Sequence, residues 1–193
     1  MKTPTRGRLI EAAVKRFYRD GFRNVGLDQV LADVGISKTA FYKHFESKDA
    51  LMLAVLEAKN AWLQDVLQEM VRSHSGPHPA DQLRGLFDVV EQFVASDEFQ
   101  GCIFVNVAME FPLAHDPAHQ AAAQHKQAIE AIVRDIATQA GADDPRALAQ
   151  ELCLIMEGAY VTRQVTGDPA TIHIARRVAD SVLAARLPQS TSA

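Results

Sequence analysis

A short stretch from Lys38 to His44 holds the side chains best suited to binding another molecule. It combines lysine, threonine, tyrosine and histidine, and no acidic residue lies between Lys38 and Glu46. Such groups bind phosphate oxygens, and lysine and threonine can also contact base edges in the DNA major groove. Phe41 and Phe45 lie four residues apart, so a helix here would bury both rings and turn the polar side chains outward. The segment favours DNA contact; the alternative is a solvated basic helix in an ordinary bundle.

The residues before this stretch indicate how it is positioned. Apolar residues recur at helical spacing from Val30 to Val34. Gly35 can adopt the positive φ that ends a helix, and the hydroxyl of Ser37 can cap the next one. Two short helices joined by a tight turn are typical of a helix-turn-helix, whose second helix lies in the major groove. Residues 27–46 are therefore predicted to form a helix-turn-helix.

The charge of the chain is divided unevenly along its length. The net charge of the whole chain is −4, which by itself argues against binding to nucleic acid. Residues 1–48, however, contain 10 lysines and arginines against 5 aspartates and glutamates, whereas residues 49–193 contain 10 against 19. This division fits a basic DNA-reading end joined to an acidic body that phosphate repels.

Several classes of protein are not indicated by the sequence. Cys102 and Cys153 have neither the spacing of zinc ligands nor that of a disulfide framework. The N-terminus lacks the apolar core of a signal peptide, and no apolar run approaches a membrane span, so we expect a cytoplasmic protein. No nucleophile motif, phosphate-binding glycine loop or acid-base pair is visible. We therefore expect no enzymatic activity, no metal site and no cofactor.

Helical spacing of apolar residues continues through the rest of the chain. A long helix is predicted from Lys48 to about Ser73, and five more helices follow. Its apolar stripe consists of Leu51, Val55, Ala58, Trp62, Val66 and Met70. Apolar residues surround the whole of Leu152–Val161, and the last helix, Pro169–Leu187, has a similar surplus. Such helices need cover on two sides, which predicts a two-fold pairing into a four-helix interface; a monomer with a thick core is the alternative.

The run GISKTAFYKHFESKDAL resembles the signature of the TetR-type (tetracycline-repressor-like) transcriptional regulators, which is roughly G-[VI]-S-x-x-x-[LF]-Y-x-[HY]-F-x-x-K-x-x-L. The residues that fall on it are Gly35, Ile36, Ser37, Phe41, Tyr42, His44, Phe45, Lys48 and Leu51. The upstream stretch is similar to the family's first helix and the loop after it, through Ala12, Phe17, Gly21 and Phe22. One departure is Val25-Gly26, where the family usually has Thr-Thr or Thr-Ser. Gly26 can act as a weak N-cap, but a hydroxyl for phosphate is missing.

The resemblance implies an all-α fold of about nine helices. An N-terminal three-helix helix-turn-helix DNA-binding domain, residues 1–48, would be joined through a long helix 4 to a helical ligand-binding and dimerisation body, residues 49–193. It also implies a homodimeric repressor that binds an inverted-repeat operator in double-stranded DNA and is released by a small-molecule effector. The alternatives are a DNA-binding homodimer without an effector and a helical enzyme or carrier.

The DNA-binding residues are expected on and around the second helix of the helix-turn-helix. They are Gly26, Ser37, Lys38, Thr39, Ala40, Tyr42, Lys43, His44 and Lys48. Lys43 and Thr39 are predicted to contact base edges. Tyr42, His44 and Lys48 are predicted to contact phosphates.

Two further sets of residues are expected in the body. The run from Gly101 to Asn106 resembles a Gly-Cys-x-x-x-Asn sequence that lines the cavity in a common TetR subgroup. The predicted ligand-binding residues are Trp62, Phe87, Cys102, Phe104, Asn106, Met109, Met156, Tyr160 and Arg163. Cys102 is interpreted as a cavity wall, with an electrophile-sensitive thiol as the alternative. The predicted dimer interface consists of Gly158, Val165, Ile172, Ala175, Val178 and Val182.

Overall fold

A computed structural model describes residues 4–96 and 99–188 of the chain. These residues form α-helices and no strand. The helices are α1 Thr5–Asp20, α2 Leu27–Val34, α3 Lys38–Phe41, α4 Lys48–Ser75, α5 Pro79–Val94, α6 Ile103–Glu110, α7 Pro117–Gln139, α8 Pro145–Thr166 and α9 Thr171–Arg186. The predicted all-α architecture, with a helix-turn-helix near the N-terminus and a long fourth helix, is confirmed. Within the described ranges, no helix has the length and apolar character needed to cross a membrane.

Local sequence accounts for several helix ends. The carboxylate of Asp144 caps α8 by accepting a hydrogen bond from the N–H of Ala147 at 3.0 Å, and Pro145 occupies the first helical position. Helices α2 and α8 end at Gly35 and Gly167, both in the left-handed conformation that glycine adopts without steric cost. These ends agree with the predicted ones because caps and stops depend on neighbouring residues.

The buried residues of α4 do not follow a single stripe. Leu51 is buried as predicted, but Ala58 and Trp62 are exposed. Near the end of the helix the buried residues are instead Leu67 and Val71. Positions 51 and 67 are roughly 160° apart around an α-helix, so α4 buries different faces at its two ends. The prediction of one continuous stripe is therefore wrong.

The chain forms two compact units. The first unit comprises residues 4–62 and 102–125, which include α1 to α3, the first half of α4, α6 and the start of α7. The second unit comprises the described residues of 63–101 and 126–188, which include α5, α8 and α9. The predicted domain boundary after residue 48 did not anticipate that α6 would join the N-terminal helices.

The core of the first unit is rich in phenylalanine. The rings of Phe17 and Phe22 stack at 5.0 Å between centroids, and those of Phe41 and Phe45 stack at 5.8 Å. All four residues are buried. Aromatic pairs of this kind contribute about 0.5–1.5 kcal/mol beyond their buried area. The first pair joins α1 to the loop that follows it, and the second joins α3 to the residues directly after it.

The second unit packs α5, α8 and α9 around an aliphatic core. Leu86 of α5, Leu152 of α8 and Leu183 of α9 are fully buried. Ile172 and Ala175, which were predicted to face a partner, belong to this core as well. Because their side chains are already covered by the chain's own helices, their assignment to a dimer interface is wrong.

Helices α8 and α9 each keep an exposed apolar stripe, and we call the two together the α8–α9 stripes. They consist of Leu154, Gly158, Val161 and Val165 on α8, with Ile174 and Val178 on α9. Leu154 is 75% exposed and Val165 is 78% exposed. Val182 lies off the stripes, half-buried against the core. Large aliphatic residues repeated along exposed helices are typical of surfaces that bind another protein.

Candidate nucleic-acid interface

The turn between α2 and α3 is closed by backbone hydrogen bonds. Gly35 has φ 72° and ψ 42°, and its N–H donates to the carbonyl oxygen of Leu31 at 2.8 Å. The N–H of Ile36 donates to the same oxygen at 3.2 Å. The hydroxyl of Ser37 then accepts a hydrogen bond from the N–H of Ala40 at 3.2 Å and caps α3. The predicted helix-turn-helix is formed with the predicted turn and cap.

Helix α3 is shorter than predicted, because it ends at Phe41 and residues 42–44 form a turn. The N–H of His44 donates to the carbonyl oxygen of Phe41 at 2.8 Å. Residues 37–44 are called the recognition segment. Its exposed residues are Ser37, Lys38, Thr39, Tyr42, Lys43 and His44, whereas Ala40 is half-buried. The inward and outward sides therefore agree with those predicted, although the helix does not continue as far.

Lys38 has a partner that the sequence did not reveal. Its Nζ lies 2.9 Å from the carboxylate of Asp28, at the start of α2. The hydrogen bond to Asp28, followed by the charge of that carboxylate, raises the pKa of Lys38. Both side chains are exposed, so the ion pair contributes little to stability. In this structure the pair places the Lys38 ammonium beside α2.

Lys48 and Gly26 take part in local structure. The half-buried Lys48 donates from Nζ to the carbonyl oxygen of Arg23 at 3.4 Å and lies 5.9 Å from the ring centroid of Phe17. A phosphate contact by Lys48 would compete with these interactions. Gly26 precedes α2 with an extended backbone, and its N–H donates to Oε1 of Gln29 at 2.8 Å.

A surface pocket of about 350 Å³ lies on α1 and α2. It is lined by Arg8, Glu11, Ala12, Lys15, Arg16, Arg19, Asp33 and Val34. Two of its cations contact α2: Arg8 donates to the carbonyl oxygen of Val34 at 2.6 Å, and Arg16 pairs with Asp33 at 2.6 Å. These contacts join α1 to α2. None of the predicted ligand-binding residues lines this pocket.

Glu110, the last residue of α6, binds the loop between α1 and α2. Its carboxylate accepts hydrogen bonds from the backbone N–H groups of Phe22 at 2.9 Å and Arg23 at 2.7 Å. The guanidinium of Arg23 also lies over the ring of Phe111, 4.8 Å from its centroid. Sequence reasoning missed Glu110 because its partners lie 87 and 88 positions away. The available signal in the sequence was an acidic residue at the end of a mostly apolar helix.

Five predicted ligand-binding residues lie in the first unit: Trp62, Cys102, Phe104, Asn106 and Met109. Phe104 is fully buried, and its ring stacks on that of His125 at 3.7 Å between centroids. His125 is 4% exposed, and its Nδ1 lies 2.8 Å from Oδ1 of Asn60. We call these three residues the Asn60–Phe104–His125 cluster. The sequence pattern singled out Phe104 but gave no role to Asn60 or His125.

The other four residues in this unit have varied surroundings. Cys102 is the half-buried N-cap of α6, and Asn106 is half-buried one turn later. Trp62 is 45% exposed and Met109 is 77% exposed, so neither is enclosed by the chain itself. Lys59, which the sequence pattern did not single out, lies 4.1 Å from the ring centroid of Trp62, and burial lowers its pKa.

The remaining predicted ligand-binding residues, Phe87, Met156, Tyr160 and Arg163, lie in the second unit. Phe87 and Met156 are buried in its aliphatic core. The ring of Tyr160 lies 6.1 Å from that of Phe99, and Nε of Arg163 donates to the carbonyl oxygen of Val94 at 3.2 Å. The nine residues are thus divided between the two units, and these four have packing contacts of their own.

Cys153 has an environment that makes its thiol unreactive. Burial, followed by the nearby charges of Glu130 and Glu157, raises the pKa of Cys153 to about 12. At neutral pH this lowers the thiolate fraction on the order of a thousandfold relative to an ordinary thiol.

In a Cys102→Ser variant, maleimide labelling of Cys153 at pH 7.5 should therefore be far slower in the native protein than in urea. Equal labelling rates in the two states would contradict this environment.

Comparison with known proteins identifies the family. Residues 9–55 match the model described as bacterial regulatory proteins, tetR family, and residues 79–179 match the tetracyclin repressor-like C-terminal domain. The HTH-type transcriptional regulator YjdC of Escherichia coli strain K12 is 23% identical over 171 residues, which cover 89% of each chain. The HTH-type transcriptional repressor NemR of the same strain is 28% identical over 106 residues, or 55% of this chain and 53% of that one.

Solved structures agree with this identification. A TetR-family transcriptional regulator from Streptomyces coelicolor superimposes with a TM-score of 0.87 at 27% identity, covering 94% of this chain and 95% of that one. A TetR transcriptional regulator from Streptomyces avermitilis gives a TM-score of 0.77 at 32% identity, with coverage of 92% and 99%. The two family models fall on the helix-turn-helix and on the helical body respectively. The chain therefore belongs to the TetR family of DNA-binding transcriptional regulators.

Proposed function

We propose that the chain is a cytoplasmic, homodimeric repressor that binds an inverted-repeat operator and is released from it by a small-molecule effector. The observation that carries the DNA-binding part is the recognition segment. Its polar side chains are exposed while Phe41 and Phe45 are buried beneath them. A rigid platform of this kind reduces the entropy that must be lost when the segment binds DNA.

Within the recognition segment, different residues serve different purposes. Lys43 and Thr39 contact base edges, where lysine can bind guanine O6 and N7 and threonine can contact the thymine methyl group. Tyr42 and His44 contact phosphates and so fix the register on the duplex. Lys38 has no assigned base contact, and its ammonium group is paired with Asp28.

The α8–α9 stripes form the dimer interface in this proposal. Their exposed aliphatic residues would be removed from water by the same stripes of a second subunit, as in an isologous two-fold interface. Two recognition segments related by this axis would read half-sites about one helical turn, or 34–36 Å, apart. The inverted repeat of the operator follows from the two-fold symmetry of the protein.

The effector site that we propose lies in the first unit, at the Asn60–Phe104–His125 cluster together with Cys102 and Asn106. Buried rings and a few polar groups converge there, which is the usual composition of a small-molecule site. The ring of Phe104 is stacked on that of His125, and His125 is hydrogen-bonded to Asn60, so an effector would bind here by displacing or extending these contacts. These groups suit an effector with an aromatic or other planar apolar body and at least one polar substituent.

Salt-dependent binding to duplex DNA tests the DNA-binding part of the proposal. With about three to five phosphate contacts per subunit, the plot of log K against log salt concentration should have a slope of roughly −5 to −9. Fluorescence anisotropy with duplexes recovered by selection from a random pool would measure this slope. A slope near zero for every duplex would contradict DNA reading by this chain.

The effector part of the proposal needs its own experiment. A library of small planar compounds is screened for those that raise the melting temperature of the protein, and each hit is then added to the protein–operator complex. A hit that raises operator Kd by tenfold or more supports the effector-released repressor. Hits that stabilise the protein but leave operator Kd unchanged would instead support a DNA-binding dimer that no such compound controls.

A further inference from the structure

We infer that Glu110 is a positioning residue that couples the end of α6 to the DNA-reading helices. The inference rests on the proposed function, because it assigns the route by which the effector site on α6 alters operator binding. Every contact that carries it lies within the first unit. The contact between the Glu110 carboxylate and the N–H groups of Phe22 and Arg23 is called the Glu110 contact.

The Glu110 contact uses both oxygens of the carboxylate. Oε1 accepts from the N–H of Phe22 at 2.9 Å, and Oε2 accepts from the N–H of Arg23 at 2.7 Å. Hydrogen bonds to an ionised acceptor are roughly twice as strong as those between neutral groups. Two such bonds to adjacent residues fix the orientation of the loop as well as its distance from α6.

Gly21 allows the loop to approach the carboxylate this closely. Its φ of +85° lies in the region that side-chain-bearing residues rarely adopt. A Cβ added at this position would also lie 3.2 Å from Oε1 of Glu110, a distance that requires the carboxylate to shift. Glycine is therefore favoured here for its backbone conformation and for the space that it leaves to Glu110.

The same loop is held by a second helix. Lys48, the first residue of α4, donates from Nζ to the carbonyl oxygen of Arg23. The guanidinium of Arg23 packs over Phe111, next to Glu110. The peptide groups around Arg23 are thus bound by α6 through their N–H side and by α4 through their carbonyl side. A displacement of α6 cannot leave the loop unchanged without breaking charge-assisted hydrogen bonds.

Glu110 lies on the same helix as two residues of the proposed effector site. Asn106 lies one helical turn before Glu110, and Phe104 of the Asn60–Phe104–His125 cluster lies on the same helix. On the other side, the loop leads directly into α2 of the helix-turn-helix. A ligand that shifts α6 therefore alters the position of the loop and of α2 after it. Conversely, binding of the operator favours one position of α6, because the two binding equilibria are linked.

Replacing Glu110 by alanine tests this coupling. Glu110→Ala should weaken operator binding by about five- to thirtyfold, the range expected for losing one or two such hydrogen bonds. Amide hydrogen exchange at Phe22 and Arg23 should accelerate at least tenfold. Glu110→Gln retains one acceptor oxygen and should restore part of the affinity. The slope of log K against log salt should not change, because no phosphate contact is removed.

An exposed glutamate of α4 provides a matched control for Glu110. Glu57 is an exposed residue of α4, and Glu57→Ala should leave both operator Kd and exchange at Phe22 and Arg23 unchanged. Faster exchange at these two amides with unaltered operator Kd in Glu110→Ala would overturn the coupling. Accelerated exchange throughout the first unit, without rescue by Glu110→Gln, would overturn it in favour of a stability role. Absence of salt-dependent DNA binding by the wild-type protein is a separate result, which would contradict the proposed function itself.

Discussion

Replacing Val178 with glutamate should convert the proposed homodimer into monomers and reduce operator affinity by more than a hundredfold. Val178 is exposed on α9 within the α8–α9 stripes, so the variant chain can fold with its new carboxylate in water. Dimerisation would bury that carboxylate, and its symmetry mate, without a partner charge. An uncompensated buried charge costs about 3–5 kcal/mol, and the two-fold axis doubles the number of charges. Light scattering after gel filtration measures the mass, and anisotropy measures operator binding.

The choice of position decides whether this experiment is informative. Val182 is half-buried against the chain's own core, so a charge there would impair folding as well as association. Val165→Glu on α8 provides an independent test of the same surface. Leu113→Glu is the matched control, because Leu113 is an exposed aliphatic residue that belongs to the first unit and not to the α8–α9 stripes. A Val178→Glu protein that remains a folded dimer with intact operator affinity would place the interface elsewhere.

Replacing Lys43 with alanine should weaken operator binding by about 1–3 kcal/mol and relax the preference at one base position in each half-site. Lys43 is exposed in the recognition segment, on the side opposite the buried Phe41 and Phe45. Loss of a lysine that binds guanine O6 and N7 removes affinity for that base and leaves the other positions unaffected. Operator Kd values for a panel of single-base variants measure both effects.

Two other lysines serve as comparisons for Lys43. Lys38→Ala should have a smaller effect on base preference, because the Lys38 ammonium is paired with Asp28. Lys48→Ala should weaken binding to all sequences alike, through loss of its contact with Arg23 or of a phosphate contact. If Lys43→Ala also weakens every duplex by the same factor, Lys43 contacts phosphate and its assignment to base reading is incorrect.

These experiments address different links in the proposed mechanism. The Val178 variant is expected to remove the proposed two-fold arrangement, and the Lys43 variant to remove one proposed base contact. The Glu110 variant is expected to alter the position of the DNA-reading helices. Their effects on the salt slope differ accordingly. Monomers make half the phosphate contacts and should show about half the slope, whereas Glu110→Ala should leave the slope unchanged.

The sequence by itself determined the local features of the DNA-reading end. The left-handed turn at Gly35, the cap by Ser37 and the burial of Phe41 and Phe45 all follow from residues within a few positions of one another. Such features depend on backbone preferences and on side chains that share a helix face, so a linear pattern contains them. The predicted length of α3 was less accurate, because residues 42–44 form a turn. The side chains predicted to be buried and those predicted to be exposed nevertheless remain so.

Only the tertiary structure decided which apolar surfaces are covered and which distant residues meet. Ile172 and Ile174 both belong to a helix with surplus apolar residues, yet Ile172 is in the core and Ile174 is exposed. A helix that is apolar on two sides contains no local signal to distinguish them, since burial depends on where its neighbours pack. The contact between Glu110 and Phe22 spans 88 positions. It depends on α6 joining the N-terminal helices, and no periodicity in the sequence encodes that packing.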